Sequence, residues 1–458
     1  MREGSLEAPT RLPYRWQDPD FYDAGKLDQE LRRVFDICHG CRRCFNLCDS
    51  FPRLFDLVDA AEEAEMAGVQ SSDFKSVADA CTLCDMCFLT KCPYVPPHEF
   101  NLDFPHLMVR YRAVQLRQGE IAVIDRLISE TDRNGKLAGA APGLANWASR
   151  RGNKLTRPAL QALAGIDADA ELPRYAQRTL ERQAAKSPPP RDRLAPASAR
   201  KVALFATCFG NYNSPEIGMA ALAVLAKNGV ECQLVYPGCC GMPQLEHGDL
   251  PRLATMAKRT ADTLLPLVDQ GYDIVAPIPS CALMMKFEWP LIVPDDPNIA
   301  KLARATFDIS EYVVDIARKE GLAPGLAPIA GDISLHFACH ARAQNIGAMA
   351  AEMLRLIPDT KVSMVERCSG HGGSLGIKRD YFEVGLKLGK PAMAQIVKNG
   401  AGHLCSECPL AGAQLVQGIG RFGGDAAPTL SSHPIQILAQ AYGLPAGDPR
   451  YASRPDED

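Results

Sequence analysis

The hydrophobic pattern of the N-terminal third is helical and runs through two dense groups of cysteines. Leu54, Leu57, Val58 and Ala61 recur at the spacing of one helix face, and the AAEEAEMAG stretch after them has the composition of a helix former. A polar Ser-Ser-Asp stretch at 71–73 can cap a second helix, whose apolar face carries Phe74, Val77, Ala78 and Cys81. We therefore expect roughly thirty residues of helix between the two cysteine groups.

Residues 200–443 follow a different pattern, in which short apolar runs alternate with helical stretches and the whole order occurs twice. Alternation of buried strands with helices is typical of βα units and parallel sheets. The sequence therefore predicts two duplicated α/β domains. Their strands are 201–207, 230–236 and 272–278 in the first half, and 333–338, 362–365 and 402–404 in the second.

The chain is thus expected to be a multidomain α+β protein, in which an α-helical domain precedes two parallel-sheet α/β domains. Shifts of composition suggest the boundaries. We expect an N-terminal arm at 1–30, the helical domain at 31–115, a helical segment with a proline-rich linker at 116–199, two cysteine-rich domains at 200–325 and 326–443, and a disordered tail at 444–458.

Composition and charge narrow the choice of partners. The chain is 47% hydrophobic and its formal net charge is −4, so it lacks the global footprint of a nucleic-acid-binding protein. No apolar run approaches the ~20 residues of a transmembrane helix, and no apolar h-region follows the charged start. We expect a cytoplasmic protein, peripheral at the inner face of the membrane if it meets one. The basic group Arg150, Arg151, Lys154 and Arg157 is either a solvated face or a docking patch for an anionic lipid surface or an acidic partner.

Sixteen of the seventeen cysteines fall into four ordered groups, and two of these groups have ferredoxin-type spacing. Thiolates are soft ligands for iron, and in two-cluster ferredoxins the fourth cysteine of each run serves the other cluster. The first run is Cys38-x2-Cys41-x2-Cys44-x3-Cys48 and the second is Cys81-x2-Cys84-x2-Cys87-x4-Cys92. The crossing rule assigns one [4Fe–4S] cluster to Cys38, Cys41, Cys44 and Cys92, and the other to Cys81, Cys84, Cys87 and Cys48.

Two details depart from the usual ferredoxin spacing. Asp49 rather than proline follows Cys48, and four residues rather than three precede Cys92. Structural zinc and disulfides are the alternatives, but a zinc ribbon needs two CxxC pairs, and a cytosolic chain this rich in cysteine more readily binds metal. We therefore expect an α-helical two-cluster ferredoxin domain over residues 31–115.

The other two cysteine groups fall near the carboxyl ends of the predicted strands, the edge at which parallel sheets bind ligands. The full pattern that both halves approach has five cysteines, and Met284 and Ser369 stand where thiols would complete it. Four thiolates suffice for one further iron–sulfur cluster in each half, although burial of free cysteines would also account for single positions. The cysteines are Cys208, Cys239, Cys240 and Cys281 in the first half, and Cys339, Cys368, Cys405 and Cys408 in the second.

Three other residues in this region have competing interpretations. Cys232 lies inside a predicted strand without a counterpart in the other half, so we expect a buried apolar side chain. His340 and His371 lie close in sequence to the second group of cysteines. They either tune a cluster or carry a proton, or they are satisfied turn histidines.

Two ferredoxin-type runs followed by two CCG-type cysteine-rich domains resemble the family of the C subunit of anaerobic glycerol-3-phosphate dehydrogenase. That family is related to the glycolate oxidase iron–sulfur subunit and to the B and C subunits of heterodisulfide reductase. The resemblance covers residues 35–443. Its most specific stretches are PGCCGMPQLEHGDL at 237–250, HFACHARAQNIG at 336–347, ERCSGHGG at 366–373, LCSECPLAGAQL at 404–415 and HPIQILAQAYG at 433–443.

The resemblance implies an electron-transfer subunit that carries two [4Fe–4S] clusters and one or two further iron–sulfur clusters in the cysteine-rich domains. Its implied partners are a flavoprotein dehydrogenase subunit as donor and quinone or a membrane partner as acceptor. The reductase relatives hold noncubane clusters in their cysteine-rich domains and cleave a disulfide there.

We therefore expect an iron–sulfur oxidoreductase subunit that relays electrons from a flavoprotein dehydrogenase partner towards quinone or another acceptor. Two alternatives stay open: a heterodisulfide-reductase-like thiol–disulfide reductase and a zinc-stabilised interaction scaffold. No GxGxxG follows a predicted strand, so we expect no flavin or nucleotide on this chain and assign no catalytic residue. Colour and iron content separate the scaffold from the other two functions.

Overall fold

The computed structural model of the chain describes residues 8–423 and 428–445. The tail that the sequence predicts to be disordered lies, from residue 446 onward, outside the described residues. The chain divides into two compact units: Met1–Ser129 with Gly241–Thr255 and Glu288–Asp295, and Glu130–Cys240 with Met256–Phe287 and Asp296–Asp458.

The chain is mixed α/β, with a helical N-terminal region followed by two sets of strands. Short 3-10 turns occur at Pro19–Tyr22, Glu62–Ala64, Met66–Gly68, Ser71–Asp73 and Leu375–Ile377, and a π-helical turn at Met284–Glu288. In chain order the elements are α1 (Ala24–Cys41), α2 (Ser50–Asp59), α3 (Phe74–Asp79), α4 (Met86–Thr90), α5 (Phe104–Gln118), α6 (Val123–Ile128), α7 (Thr131–Ala140), α8 (Pro142–Ser149), α9 (Thr156–Ala164), α10 (Leu180–Lys186), β1 (Lys201–Phe205), α11 (Cys208–Tyr212), α12 (Pro215–Lys227), β2 (Glu231–Val235), α13 (Met242–Glu246), α14 (Leu250–Asp269), β3 (Asp273–Ala276), α15 (Pro279–Leu283), α16 (Trp289–Ile292), α17 (Pro297–Arg304), β4 (Thr306–Asp308), α18 (Ile309–Lys319), β5 (Ile333–His336), α19 (Cys339–Ala343), α20 (Met349–Leu354), β6 (Val362–Val365), α21 (Phe382–Asn399), β7 (His403–Ser406), α22 (Pro409–Phe422) and α23 (Pro434–Ala441).

The first unit is helical and packs around phenylalanine rings. Phe35 of α1 lies between Phe74 of α3 and Phe104 of α5, with ring centroids 5.2 Å and 5.8 Å apart. Phe51 of α2 packs on Phe104 at 4.7 Å. These rings are buried, and their apolar area stabilises the helices that carry the ferredoxin-type cysteines.

The helix predicted between the two cysteine groups is broken. α2 ends at Asp59, and three 3-10 turns occupy most of residues 62–73 before α3 begins. Arg32 of α1 donates to the carbonyl oxygens of Met66 at 3.0 Å and Val69 at 3.1 Å, which a continuous helix would use for its own hydrogen bonds. A tertiary contact thus overrides the helical composition of this stretch.

The N-terminal segment that the sequence predicts to be an arm packs within the first unit. Tyr14 and Phe21 are buried, and the indole N–H of Trp16 donates to the carbonyl oxygen of Ile292 at 2.8 Å. Arg11 is mostly buried among three carboxylates. The segment is therefore a packed part of the unit from at least Arg11 onward.

The second unit contains two parallel sheets, as the sequence predicted. The strand order is β2-β1-β3-β4 in the first sheet and β6-β5-β7 in the second. The central strands β1 and β5 are buried along almost their whole length, as expected for parallel strands covered on both faces. The two halves therefore repeat one topology.

Two tertiary features of this unit were not predicted. β4 adds a fourth strand to the first sheet and pairs with β3, and its three residues are too few to give a periodic signal. α23, at the end of the second half, packs against α12 of the first half. The two halves are therefore joined by helix packing as well as by the chain.

Helices α7 to α10, from the segment predicted as helical with a linker, belong to the second unit. Gly135 of α7 lies against Tyr212 of α11, because a Cβ at residue 135 would come within 2.3 Å of the tyrosine ring. Among the described helices, none combines the length and the apolar composition that crossing a bilayer requires.

Candidate metal centres

The first ferredoxin-type run lies at the carboxyl end of α1. Cys38 and Cys41 are three residues apart on this helix, so they share a face. Arg42 caps the helix with φ 51°, and its N–H donates to the carbonyl oxygen of Cys38 at 2.8 Å. This left-handed cap ends the helix and turns the chain towards Cys44.

Cys92 of the second run lies with the first three thiols. Burial raises the pKa of Cys44 to about 12, and the charges of Cys92 and Cys41 act in the same direction. The cavity that these thiols share is lined by Cys38, Cys41, Cys44 and Cys92, together with Ile37, Arg43, Phe51, Phe55, Pro93, Tyr94 and Leu102. The cavity thus collects the four residues that the crossing rule assigned to one cluster, and their binding of iron stays a prediction.

Cys48 of the first run lies with the second run. Burial raises its pKa, and the charges of Cys84 and Cys81 raise it further. The pKa of Cys87 is raised by burial and then by Cys84, Cys81 and Cys48. Cys44 also contributes to that increase, so the two groups of thiols are neighbours within the first unit.

The donor set in both groups suits a cation. Several neighbouring thiols in a poorly hydrated site cannot all ionise unless a metal compensates their charge. The soft sulfur donors of both groups, and the mostly apolar lining of the first, fit an iron–sulfur cluster, whose four irons hold their thiolates farther apart than one zinc ion holds its ligands. Within residues 8–423 and 428–445, no three His, Cys, Asp or Glu side chains are spaced for a single metal ion.

Two arginines lie beside the second run, and no local sequence pattern indicated either. Arg112 donates to the carbonyl oxygen of Cys81, and its charge opposes the upward effect of burial on the pKa of that thiol. Arg11 binds both carboxylate oxygens of Asp85, which lies between Cys84 and Cys87, at 2.7 Å and 3.0 Å. Arg112 therefore places positive charge beside Cys81, whereas the carboxylates Asp85 and Asp103, which Arg11 pairs with, act in the opposite direction on that thiol.

In the first cysteine-rich domain, four thiols gather beyond the carboxyl ends of β1, β2 and β3. Cys208 begins α11, Cys239 and Cys240 follow β2, and Cys281 lies in α15. The Sγ atoms of Cys208 and Cys239 are 3.8 Å apart. The thiol of Cys240 contacts those of Cys239 and Cys281, and these hydrogen bonds raise its pKa ahead of burial.

The turn that presents Cys208 is strained. Thr207, directly before it, is fully buried and has φ 59°, which is rare for a β-branched residue. Its side-chain oxygen accepts the N–H of Gly210 at 2.9 Å and so caps α11. Strain of this kind is concentrated at functional sites, where the surrounding structure imposes it.

Helix α7 completes the surroundings of these four thiols. Asp132 accepts the backbone N–H of Cys239 at 3.0 Å, and the hydroxyl of Tyr236 donates to its other carboxylate oxygen. Thr131 contributes a hydroxyl that lowers the pKa of Cys208, against the larger upward effect of Cys239. Asp132 is 107 residues away from Cys239, so no local sequence pattern could have revealed it.

In the second cysteine-rich domain the predicted thiols are more dispersed. Cys339 begins α19 and Cys408 is the N-cap of α22, so both lie beyond strand ends. Cys368 is exposed in the loop after β6. Cys405 lies inside β7, fully buried and paired in register with Leu335. Its position inside a strand differs from the sheet-edge position that the sequence predicted.

The strand registers align the two halves differently from the sequence. Val202 pairs with Asp273 in the first sheet, and Ile333 pairs with His403 in the second. When the two sheets are superposed in this register and the count continues towards the carboxyl end, Val275 is equivalent to Cys405, Ile278 to Cys408, and Cys281 to Ala411. Ile278 and Cys408 are also the N-caps of α15 and α22, which both begin with proline. The fifth thiol of the first half is therefore replaced by Ile278, whereas the sequence suggested Met284.

The cysteine sites of the two halves are neighbours. α15, which carries Cys281, contacts α19, which begins at Cys339. Burial raises the pKa of Cys408, and the charges of Glu407 and Cys281 act in the same direction. Glu407 is buried beside this pair, and burial followed by the charge of Asp308 holds its pKa well above the usual range. Neither carboxylate was predicted from the sequence.

The remaining candidates behave differently from one another. Burial and the charge of His340 lower the pKa of His371 to about 4, and its Nε2 has no hydrogen-bond partner among the described residues. A satisfied turn histidine therefore does not describe His371. Cys232 is half-buried in β2, less than predicted, and its thiol donates to the carbonyl oxygen of Val230 at 3.6 Å.

A known protein family matches two segments of the chain, one in each of the duplicated halves. Residues 202–286 and 333–415 match the cysteine-rich domain family known as CCG. The C subunit of anaerobic glycerol-3-phosphate dehydrogenase from Escherichia coli (strain K12) is 26% identical over 322 residues, which cover 69% of this chain and 76% of the relative. Lactate utilization protein A of Bacillus pumilus is 28% identical over 187 residues, which cover 39% of this chain and 75% of that protein.

The Bacillus cytotoxicus lactate utilization protein A gives a similar result, with 27% identity over 190 residues, 39% of this chain and 75% of the relative. The family matches contain all eight cysteines that the sequence assigned to the duplicated halves. Residues 202–286 and 333–415 of this chain thus belong to the CCG cysteine-rich domain family, and the chain is a distant relative of the anaerobic glycerol-3-phosphate dehydrogenase C subunit and of lactate utilization protein A.

Proposed function

We propose that this chain is an iron–sulfur electron-transfer subunit that relays electrons from a flavoprotein dehydrogenase partner towards quinone or another acceptor. The observation that carries the proposal is the gathering of cysteine thiols from distant parts of the sequence into adjacent groups. In the first unit two such groups are neighbours through Cys44 and Cys87. Adjacent cofactor sites are what stepwise electron transfer needs.

The residues of the first unit have distinct roles in this proposal. A [4Fe–4S] cluster would supply reversible one-electron transfer at each group. One cluster is assigned to Cys38, Cys41, Cys44 and Cys92, whose surroundings are mostly apolar. The other is assigned to Cys81, Cys84, Cys87 and Cys48. The positive charge of Arg112 near Cys81 would favour the reduced, more negative state of this cluster and so raise its potential, and the charges of Asp85 and Asp103 would oppose that effect.

A further cluster is proposed for the first cysteine-rich domain, on Cys208, Cys239, Cys240 and Cys281. Their mutual contacts and the strained turn at Thr207 support this assignment. In the second domain we keep Cys339, Cys368 and Cys408 as candidate ligands. Cys405 also stays a candidate, although its burial inside β7 makes it the weakest member of the set.

The relatives support a role within a larger oxidoreductase. One of them is by name one subunit of a dehydrogenase, and another is named for lactate utilization. We propose that this chain likewise works with a separate dehydrogenase subunit, which binds the metabolite and the flavin. The alternative with most structural support is thiol–disulfide reduction, because the first cysteine-rich domain brings four thiols into contact.

Metal content is the primary test. The full chain, purified without oxygen, should be brown and contain at least about eight iron atoms per chain, with more if the cysteine-rich domains hold a cluster. Cys208→Ser should remove iron beyond the first eight. The matched control is Cys232→Ser, which should leave the iron content unchanged because Cys232 belongs to no group. Stoichiometric zinc with little iron would refute the proposal and favour the scaffold.

A second test separates relay from reductase. The iron-loaded chain should accept electrons from a reduced flavoprotein and pass them to a quinone analogue, and it should not turn over a disulfide. Cys240→Ser gives the first domain the Cys-Ser-Gly sequence that the second domain has at residues 368–370. We expect this variant to retain some quinone reduction. Robust disulfide reduction by the wild-type chain, abolished by Cys240→Ser, would favour the reductase instead.

A further inference from the structure

Helices α7, α8 and α9, together with the N-cap residue of α9, expose an unusual number of large apolar side chains. Leu137, Leu144, Trp147, Leu155 and Leu163 are between 49% and 81% exposed, with Leu163 the most exposed of the five. They are five of the fourteen large apolar side chains that are exposed in the described part of the chain. We call residues 133–163 the basic apolar surface, because they combine these exposed apolar side chains with positive charge.

The charge of this surface has one sign. Residues 133–163 contain six Lys or Arg and no Asp or Glu, whereas the whole chain has a formal net charge of −4. Arg133, Lys136, Arg150, Arg151 and Lys154 are exposed. A folded segment with positive charge and exposed leucines differs from an ordinary solvated helix face, which mixes both signs and keeps large apolar side chains buried.

The segment is a folded layer. α7 contacts α8, and α8 contacts α9. Arg157, the sixth basic residue, is buried and donates to the carbonyl oxygens of Ser149, Ala168 and Ala170. The exposed side chains are therefore held by a fixed backbone, and their exposure needs another explanation than a lack of structure.

We propose that the basic apolar surface docks this chain onto an anionic lipid bilayer. Lys and Arg are attracted to the negative headgroups, and Leu and Trp enter the boundary between headgroups and acyl chains. An acidic protein would satisfy the cations but would leave the leucines without an apolar counterpart. The combination of one charge sign with exposed aliphatic chains and a tryptophan therefore favours lipid.

The same layer adjoins the first cysteine-rich site. Asp132, at the start of α7, binds the backbone N–H of Cys239, and Leu137 is five residues further along the helix, roughly 8 Å at 1.5 Å per residue. Docking would thus bring these thiols close to the bilayer. The lipid contact itself needs no metal and stands apart from the proposed function.

Vesicle flotation tests the proposal with the full chain. The protein should float with phosphatidylcholine vesicles that contain phosphatidylglycerol, less with pure phosphatidylcholine, and less at high salt. Arg151→Glu with Lys154→Glu should weaken binding to the anionic vesicles by at least about 25-fold, since each lost positive charge accounts for about fivefold. Leu155→Ser with Leu163→Ser should weaken it by at least about tenfold.

Matched controls carry the same changes elsewhere in the second unit. Lys361→Glu with Lys398→Glu changes two exposed lysines, and Leu194→Ser changes a leucine that is 97% exposed. Both should float like the wild type, and circular dichroism should be the same for all variants. Equal flotation of the Arg151/Lys154 variant and its control would overturn the proposal. So would capture by polyglutamate with no flotation on anionic vesicles, because that result would identify an acidic polypeptide as the partner.

Discussion

Removal of the Arg11 side chain should destabilise the first unit far more than removal of an ordinary surface arginine. The guanidinium donates to Asp85 at 2.7 Å, to Asp103 at 3.1 Å and to Glu288 at 3.1 Å. The side chains are only 13% exposed for Arg11, 7% for Asp85 and 3% for Glu288. Arg11→Met keeps much of the side-chain volume and leaves these carboxylates without their central cation.

The expected cost follows from that burial. Loss of one partner from a buried ionic network costs about 3–5 kcal/mol, because an uncompensated charge stays in a poorly hydrated site. A unit of this size loses about 2–4 °C of melting temperature per kcal/mol, so the transition should fall by roughly 6–20 °C. Arg318→Met is the control, since Arg318 and Glu352 are 58% and 42% exposed and such a pair contributes about 1 kcal/mol at most.

The dependence on pH makes the test sharper. Burial alone would raise the pKa of Glu288, but protonated His106 and the charge of Arg11 lower it to about 2, from an ordinary 4.5. A depressed carboxylate pKa stabilises the fold above pH 4.5, and that contribution is lost as the pH falls from 4.5 towards 2. The difference between Arg11→Met and the wild type should therefore be largest near neutral pH and should shrink below pH 4.5.

Thermal unfolding followed by far-ultraviolet circular dichroism, without oxygen and over a series of pH values, measures both effects. A change no larger than that of Arg318→Met would refute the network argument. A large loss that is the same at every pH would assign the effect to packing, because protonation of the carboxylates relieves only an electrostatic penalty.

Three further predictions follow from other parts of the chain. Cys48→Ser should remove the paramagnetic signal of the second-run cluster and spare the other, and loss of the first-run signal alone would contradict ligand crossing. Burial lowers the pKa of His336 to about 4, so the free energy of unfolding should fall as the pH falls from 6.5 to 4, by at most about 1.4 kcal/mol per pH unit. Melting temperatures of His336→Gln, measured over the same pH series, should lack this decrease. Gly370→Ala would bring a Cβ within 1.8 Å of the carbonyl oxygen of Gly385, so it should melt well below Gly400→Ala, which has a positive φ and meets no atom within 4 Å.

The parts of this structure that the sequence predicted correctly are encoded locally. The apolar runs of β1 and β5 predicted buried parallel strands, because a parallel strand covered on both faces has little room for polar side chains. Cysteine spacing likewise located the two ferredoxin-type runs, which begin at the carboxyl end of α1 and directly after α3, with two to four residues between successive thiols. Short-range patterns of this kind need no knowledge of the rest of the fold.

The missed features depend on contacts between distant residues. Arg11 is 74 residues from Asp85 and 277 residues from Glu288, and nothing near Arg11 in the sequence indicates these partners. The stretch after α2 has a helical composition, yet Arg32 binds the carbonyl oxygens that a helix would need. Long-range hydrogen bonds of buried cations override weak local propensities, which amount to tenths of a kcal/mol per residue.

The two cysteine-rich halves differ in their candidate thiol ligands once they are aligned by strand register, which shifts Cys281 by one helical turn relative to Cys408. Alignment by sequence alone assigned each half four thiols and made the halves equivalent. The strand registers instead match Cys281 with Ala411 and Cys408 with Ile278, so the two halves keep different thiols. Cys405, which matches Val275, lies inside β7. At the five remaining positions, those of Cys208, Cys239, Cys240, Ile278 and Cys281, the first half has four thiols and the second has three. Four ligands close an ordinary cluster, whereas three leave one iron open. We therefore expect a further cluster first of all in the first half, and its missing thiol position corresponds to Cys408, which lies near Cys281.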